Sequence, residues 1–415
     1  MKVLMLRHNW HQLVLDHADE VYAVLDSSPG CLAMPPEALA RFAGVYRISS
    51  YDSLEELSAV AGDLLSRGIE IDRVVSFPEF TQYAAGYLAH LLGLGHFSPS
   101  VALATRDKRV TKLRAAQAGV PTARWCSVPD LATADPAAIE RAVGYPLVLK
   151  PAGGWGTTAT VKVDGPAELA EALRTLSDEL PSPLAAQFIA EEFIDGEEFH
   201  VDAVWRDGKP WTFHVSRYFS PRLRAWSGRA AHGSVLLRES EFGDLYAQLL
   251  KISTQLNSAV GVERGATHLE VFREHGTGRL LVSEIASRIG GANVANVVEA
   301  LDGVHGGLVV LHELLDGERS GLPFASGSHP VVGGLCLVPR RSGVIVSMPD
   351  RSELLAHPNV LDAVSYHQVG DHVEASHPSV WCTLLVIGAE TEPELERTAL
   401  ALSEIFEIRT EPAGR

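Results

Sequence analysis

The chain has 415 residues, 35 Lys+Arg against 52 Asp+Glu, and a net charge of −17. At roughly 150 residues per domain this length implies two or three domains. The acidic balance disfavours nonspecific nucleic-acid binding, which rests on neutralising phosphates with Lys and Arg. Hydrophobic residues make up 46% and charged residues 21%, a globular balance with ample material for a core.

No uncharged apolar run reaches the length of about 18 residues that a membrane span needs. The apolar run at residues 3–5 meets Arg7 and His8 too early for a signal peptide. The four cysteines, Cys31, Cys126, Cys336 and Cys382, are scattered without a CxxC pair, which argues against a disulfide framework and a Cys-based zinc site. A cytoplasmic protein without nucleic-acid or membrane partners is the expectation. Only seven of the cations are lysines, and none follows Lys251.

The first hundred residues alternate strand-like and helix-like patterns. Residues 3–6, 21–25, 45–48 and 73–77 read as short buried strands. A helix is expected over 53–67, with Ser53 as N-cap and Glu56 as its capping-box partner, and another over 81–92. Such alternation implies a parallel sheet covered on both faces. Arg7-His8-Asn9 follows the first strand in place of a GxGxxG turn, so a dinucleotide-binding domain is not expected. Helices are then expected over 108–118, ended by Gly119 and Pro121, and over 131–144. Residues 199–205 and 211–215 suggest a hairpin turned by Asp207-Gly208, and 242–259 a long amphipathic helix. A second hairpin pairs 267–272 with 280–285, and 294–315 reads as helical. From 330 onward the pattern is strand-rich, closing with a helix over 393–406.

Three constellations carry possible chemistry. An apolar strand ends on Lys150, and Gly153, Gly154 and Gly156 follow at once. Glycines let backbone N–H groups approach a phosphate and a lysine supplies countercharge, although the Walker pattern GxxxxGK[ST] is absent. The competing reading is a glycine-rich turn beside a solvated lysine. Next, Glu191, Glu192, Glu197 and Glu198 bracket a short apolar stretch that contains Ile194. This segment suits either the join between two lobes or an acidic surface turn.

Third, the second hairpin sets Glu270 almost opposite Glu284. Facing carboxylates repel. A divalent cation would relieve that repulsion, and carboxylate oxygens suit Mg²⁺. Otherwise the two acids splay apart on a wet sheet face. Arg288 follows four residues later, with Gly290, Gly291 and Asn293 after it. A guanidinium there could stabilise a transferring phosphoryl group or form an ion pair with one of the acids.

In this order the pieces resemble the ATP-grasp superfamily, from Asp107-Lys108 through Lys150, the 153–156 loop, Glu191–Glu198, Glu270 and Glu284 to Arg288-Ile-Gly-Gly. The resemblance implies an α/β and α+β architecture. A Rossmann-like pre-ATP-grasp domain would span 1–105, the ATP-grasp domain 106–330 with a mobile lid at about 145–200, and a strand-rich C-terminal subdomain, 331–415, would complete the ATP-grasp region.

It also implies roles. Lys108 and Lys150 would contact ATP phosphates beneath the mobile loop of Gly153, Gly154 and Gly156. Glu191 would face the adenine amino group, the backbone of Glu192 and Ile194 would bond the adenine edge, and Glu198 would hold the ribose. Glu270 and Glu284 would bind Mg²⁺ or Mn²⁺, and Arg288 would stabilise acyl-phosphate chemistry. Ala286 stands where the family often has an Asn metal ligand, with Ser287 or water as possible substitutes. L-amino acid ligases, which make dipeptides, look similar there.

The implied reaction is amide formation between a small carboxylate and an amine, both expected to be amino acids. The alternatives are a carboxylase or formate-type ligase of nucleotide metabolism, or a catalytically silent nucleotide-binding protein. Arg217, Arg222, Arg224, Arg229 and His232 are candidates for the acceptor pocket, since Arg grips carboxylates with two hydrogen bonds. Gly290, Gly291 and Asn293 are further substrate candidates, and His200 and His268 are candidates to face the cleft. A homodimer is the expected assembly.

Overall fold

A computed structural model describes residues 1–180, 187–225, 231–327, 329–375 and 380–412. The first sheet is parallel and four-stranded, in the order Gly44–Arg47, Glu20–Leu25, Lys2–Leu6, Arg73–Ser76. Its inner strands, Lys2–Leu6 and Glu20–Leu25, are nearly continuous buried apolar runs, as expected where both faces of a parallel sheet are covered. Helix Leu54–Ser66 starts where Ser53 accepts the Glu56 N–H. The box is not reciprocal, because the Glu56 carboxylate accepts from Ser49 N–H and hydroxyl at 2.7 and 2.9 Å.

A second four-stranded sheet is antiparallel, in the order Trp125–Val128, Phe188–Glu192, Leu147–Pro151, Val161–Val163. Helices Pro136–Val143 and Pro166–Glu179 cover it over their own apolar cluster. This small lobe is the unit expected over 145–200, but it begins earlier, at Trp125, because that strand pairs across to Phe188–Glu192. It also ends earlier, since Gly196–Arg206 belongs to the next sheet.

The third sheet dominates the molecule. Its eight strands run Leu280–Ala286, Gly265–Glu274, Gly196–Arg206, Lys209–Tyr218, His232–Leu236, Val331–Leu337, Thr383–Ala389, Val360–Ser365, each antiparallel to its neighbour. The tail beyond 331 therefore completes the central sheet. A separate three-stranded sheet holds Gly343–Ser347 between His372–Val373 and Arg409–Glu411. Asp207 and Gly208 turn the first hairpin with φ of 53° and 70°, the left-handed pair that a two-residue turn of this kind requires.

Side chains alternate across a strand, and here the alternation separates packing from chemistry. One face presents Phe199, Val201, Val215, Val235, Leu269 and Leu335 to helices Lys108–Gln117, Glu239–Val260 and Glu392–Ile405. The other face carries Glu198, His200, Asp202, His214, Ser216, Tyr218, His268 and Glu270, and it forms the wall of a cleft. The helical stretch expected over 294–315 is two helices, Val294–Asp302 and Gly306–Leu314, separated at Gly303, whose φ is 72°. Among the described residues no single helix is long and apolar enough to cross a membrane.

Candidate active site

The cleft, of about 630 Å³, lies between the central sheet, the small lobe and the C-terminal ends of the first sheet's strands. Lys108 opens its helix one residue after Asp107, whose side chain caps the first turn by accepting the Arg109 N–H. The Lys108 ammonium lies 2.8 Å from Glu284 and 2.9 Å from the Gly154 carbonyl, so it ties the glycine loop to the acids. Lys150 comes from the adjoining strand and reaches Glu191 at 3.1 Å. Gly154, Trp155 and Gly156 line the cleft; Gly153 does not. Gly156 and Thr157 both have left-handed backbone, with φ of 61° and 63°. Trp155, 48% exposed, lies against the Phe80 ring of the first domain at 5.8 Å.

Glu270 and Glu284 are direct partners across the ladder, and a bulge after Glu270 leaves Ser283 without a cross-strand partner. Glu270 accepts from the Tyr218 hydroxyl at 3.0 Å and lies 3.5 Å from His268 Nε2. Burial alone would raise its proton affinity. His268, Arg222 and the tyrosine outweigh burial and hold Glu270 well below the usual carboxylate range. Glu198 goes the other way: burial and then the Glu270 charge push it up to about 8. Hence Glu270 is ionised at neutral pH while its neighbour is largely protonated.

Asp202, which sequence reasoning passed over, organises this wall. Its carboxylate accepts from His200 Nδ1 at 2.7 Å, His268 Nδ1 at 3.0 Å and the Gly290 N–H at 2.5 Å. His200 also meets the Ser234 hydroxyl at 2.9 Å. Three side chains here could suggest a metal site, but their ligand atoms are occupied by hydrogen bonds to one another. Burial would lower the His268 pKa, yet Asp202 and Glu270 raise it to about 9. The ring is an imidazolium between two carboxylates, and it stands opposite Ala286 in the ladder.

Several expected contacts are differently placed. Arg288 does not pair with the metal-type acids; its Nε binds Glu79 and its Nη1 the Ile289 carbonyl at 2.8 Å. Glu79, at the end of the fourth parallel strand, also pairs with Arg106 at 3.2 Å. The Ser287 hydroxyl bonds Thr105 at 2.9 Å and Gln82 at 3.3 Å, so it is turned away from Glu284.

Arg217 points to the packed face, into Glu197, Glu392 and Glu396, and does not line the cleft. His232 is also outside the cleft lining, although it shares the strand parity of Ser234 and Leu236, which do line the cleft, and pairs with Cys336 in the ladder. Arg222 does reach the cleft, and its N–H donates to Glu198 at 2.6 Å, engaging the group expected to hold ribose. The side chains of Arg224 and Arg229 lie outside the described residues.

The Glu192 N–H donates to the Arg124 carbonyl at 2.9 Å, so it is not available to a ligand. Ile194 lines the cleft. Gly291 and Asn293 also line it, but the Asn293 amide donates to the Leu385 carbonyl.

Two lysines, two facing carboxylates, an arginine and a glycine loop around one cleft define a class. Residues 143–296 match the ATP-grasp domain family. The chain thus carries a region similar to ATP-grasp domains and has a likeness to L-amino acid ligases. It is 29% identical over 257 residues to an L-arginine-specific L-amino acid ligase of Bacillus subtilis, a match covering 61% of this chain and 60% of that protein. A D-alanine–D-alanine ligase of Chlorobaculum parvum is 29% identical over 188 residues, 43% of this chain and 50% of that protein. The chain thus spans between half and three-fifths of these curated relatives. In fold, the crystal structure of an L-amino acid ligase from Bacillus licheniformis superposes with a TM-score of 0.77 at 19% identity, covering 99% of this chain and 98% of that one.

Proposed function

We propose that this protein is an ATP-dependent carboxylate–amine ligase that joins two small substrates, most simply amino acids, and acts in the cytoplasm as a homodimer. The observation that carries the proposal is the convergence of Lys108, Lys150, Glu270, Glu284 and Arg288 on one cleft. In the proposed reaction a carboxylate oxygen attacks the γ-phosphorus of ATP, releasing ADP and forming an acyl phosphate. The amine nitrogen then attacks the acyl carbon, releasing phosphate and one proton and leaving an amide. No side-chain nucleophile is needed, so positioning and charge neutralisation are the protein's contribution.

The Glu270–Glu284 pair suits a divalent cation: both groups are oxygen donors, they face each other, and they sit in a largely buried wall. Mg²⁺ or Mn²⁺ bound there would neutralise the triphosphate and polarise its γ-phosphoryl group. Lys108 would exchange the Gly154 carbonyl for a phosphate oxygen, freeing the loop to close over it. Lys150, aligned by Glu191, would approach the same phosphates. Arg288, held by Glu79, would face the charge that grows on the transferring group. Among the described arginines of its segment Arg222 lines the cleft, and it would receive a substrate carboxylate.

The test is ADP release in a pairwise amino-acid screen with Mg²⁺, with mass spectrometry of the products. Substrate-dependent ADP and a dehydrated pair mass are expected, both abolished by EDTA. ATP binding without substrate-dependent ADP from any pair would refute ligase activity.

A further inference from the structure

One end of the cleft has no part in the phosphoryl chemistry proposed above. Tyr218, Ser234 and Gly334 are partners across three adjacent strands and all line the cleft. Cys336 comes two residues after Gly334, so it shares that face, and it is buried. Gly334 lets the loop after Arg288 seat on the sheet, since a Cβ there would come within 2.4 Å of Asn293 Oδ1. This loop forms one side of an arm whose floor is Cys336.

Two aromatic rings border the arm. Trp381 lies against the same loop, because a Cβ at Gly291 would stand 3.6 Å from the edge of its indole. The Tyr366 N–H donates to the carbonyl of Cys382, the residue after Trp381, at 2.9 Å. The Tyr366 ring is within electrostatic reach of the Cys336 sulfur, and at 61% exposure it marks the mouth. Arg222 stands at the inner end, where its charge acts on Glu270 on one side and on Cys336 on the other. Burial pushes the Cys336 thiol up to about 11, so the floor is neutral. Among the described residues, those that line the cleft from 233–236, 334–336, 366 and 381 carry no charge.

A cationic side chain in this arm would meet no carboxylate and would face Arg222, which is costly. A flat apolar side chain would gain burial and ring contacts. We infer that the arm is the side-chain pocket for the amine substrate, and that it selects an aromatic amino acid. That substrate's carboxylate would rest on Arg222, its amino group would point toward the Glu270–Glu284 pair, and its ring would lie over Cys336 against Trp381. This inference rests on the ligase reading above, and amino-acid binding tests it separately from ligation.

Binding of L-phenylalanine, L-alanine and L-arginine is measured by calorimetry with ADP and Mg²⁺ present, for the full chain and for Trp381→Ala, Trp381→Phe and Cys336→Phe. The unaltered chain is expected to bind L-phenylalanine about 30-fold or more tighter than L-alanine, the effect of burying one aromatic side chain. It should also bind L-phenylalanine tighter than L-arginine. Trp381→Ala should cut the phenylalanine-to-alanine ratio about tenfold, and Trp381→Phe should keep most of it. Cys336→Phe, which fills the arm, should cut the ratio by about tenfold or more. In ligation products, tandem mass spectrometry should place the aromatic residue at the carboxyl end.

An unaltered chain that binds L-alanine or L-arginine as tightly as L-phenylalanine overturns the inference. So does a Trp381→Ala variant that weakens all three by one factor, since that is a structural effect only. If Trp381→Ala does not fold, an unchanged ratio in Cys336→Phe still overturns it. Amide products that carry an aromatic residue only at the amino end overturn it and leave the ligase reading standing. Selective L-phenylalanine binding without amide formation from any pair would refute the ligase reading and leave the side-chain pocket standing.

Discussion

Arg288 shows how a residue's neighbours set its task. It is largely buried, and burial disfavours its charge, but Glu79 and other acids more than compensate, so it stays cationic. The guanidinium is thus fixed by a carboxylate from another domain before any substrate arrives. Arg288→Ala should lower kcat by about 10²–10³-fold, the usual loss for one charge-stabilising donor, with a smaller change in the KM for ATP. Steady-state kinetics check this, and a variant with unchanged kcat would remove Arg288 from the chemistry.

His232 gives a residue-scale prediction about stability. Burial, then Arg222, lowers its pKa from 6.5 to about 4. The folded state therefore holds a neutral ring where the unfolded chain would bind a proton. The contribution is fully present above pH about 6.5 and is lost as pH falls toward about 4. Denaturant midpoints at pH 7 and 4.5 should show a smaller acid loss for His232→Gln than for the unaltered chain. An identical loss in both would contradict the assignment.

At the scale of elements, strand parity explains which residues reach the cleft. The alternation Glu198-x-His200-x-Asp202, and His268-x-Glu270 on the next strand, was legible in the sequence as polar residues at every second position. Read fully, it would have placed Asp202 in the wall beside His200. Parity also puts Arg217 on the opposite face from Ser216 and Tyr218, so composition alone misplaced it.

Glu79 was not legible, because its pairing with Arg288 joins residues 209 positions apart in the chain. Its place after a parallel strand, where ligands gather in open α/β sheets, was the only signal. The loop after Arg288 is equally constrained. A Cβ at Gly290 would come within 2.7 Å of Asp202 Oδ1 and 2.9 Å of His268 Nδ1. Gly290→Ala should therefore displace the loop and depress kcat much more than it lowers the melting temperature. A fully active variant would show that this loop does not need its present position.

For the whole molecule, the change from alternating strands and helices to hairpins was legible because the two differ in period. The return of the tail into the central sheet was not, since Val331–Leu337 pairs with His232–Leu236 from far along the chain. The cleft depends on the first domain keeping its place, and an ion network that runs from one buried carboxylate to the surface reaches it. Glu313, fully buried, binds Arg264 at 2.8 Å and Arg206 at 3.2 Å. Asp316 joins Arg264 at 2.6 Å to Arg73 of the first sheet. Removing one partner of a buried pair leaves the other charge uncompensated, so Glu313→Ala should cost about 3 kcal/mol in denaturant unfolding. A loss below about 0.5 kcal/mol, the scale of ordinary surface changes, would mean the network is not structural.

The proposed reaction turns on one bond, between a substrate carboxylate oxygen and the γ-phosphorus. Once a productive substrate pair is known, the donor's carboxylate is labelled with ¹⁸O and the released phosphate is analysed by mass spectrometry. Passage through an acyl phosphate predicts one labelled oxygen in each phosphate formed per amide. Amide formation with unlabelled phosphate would contradict it.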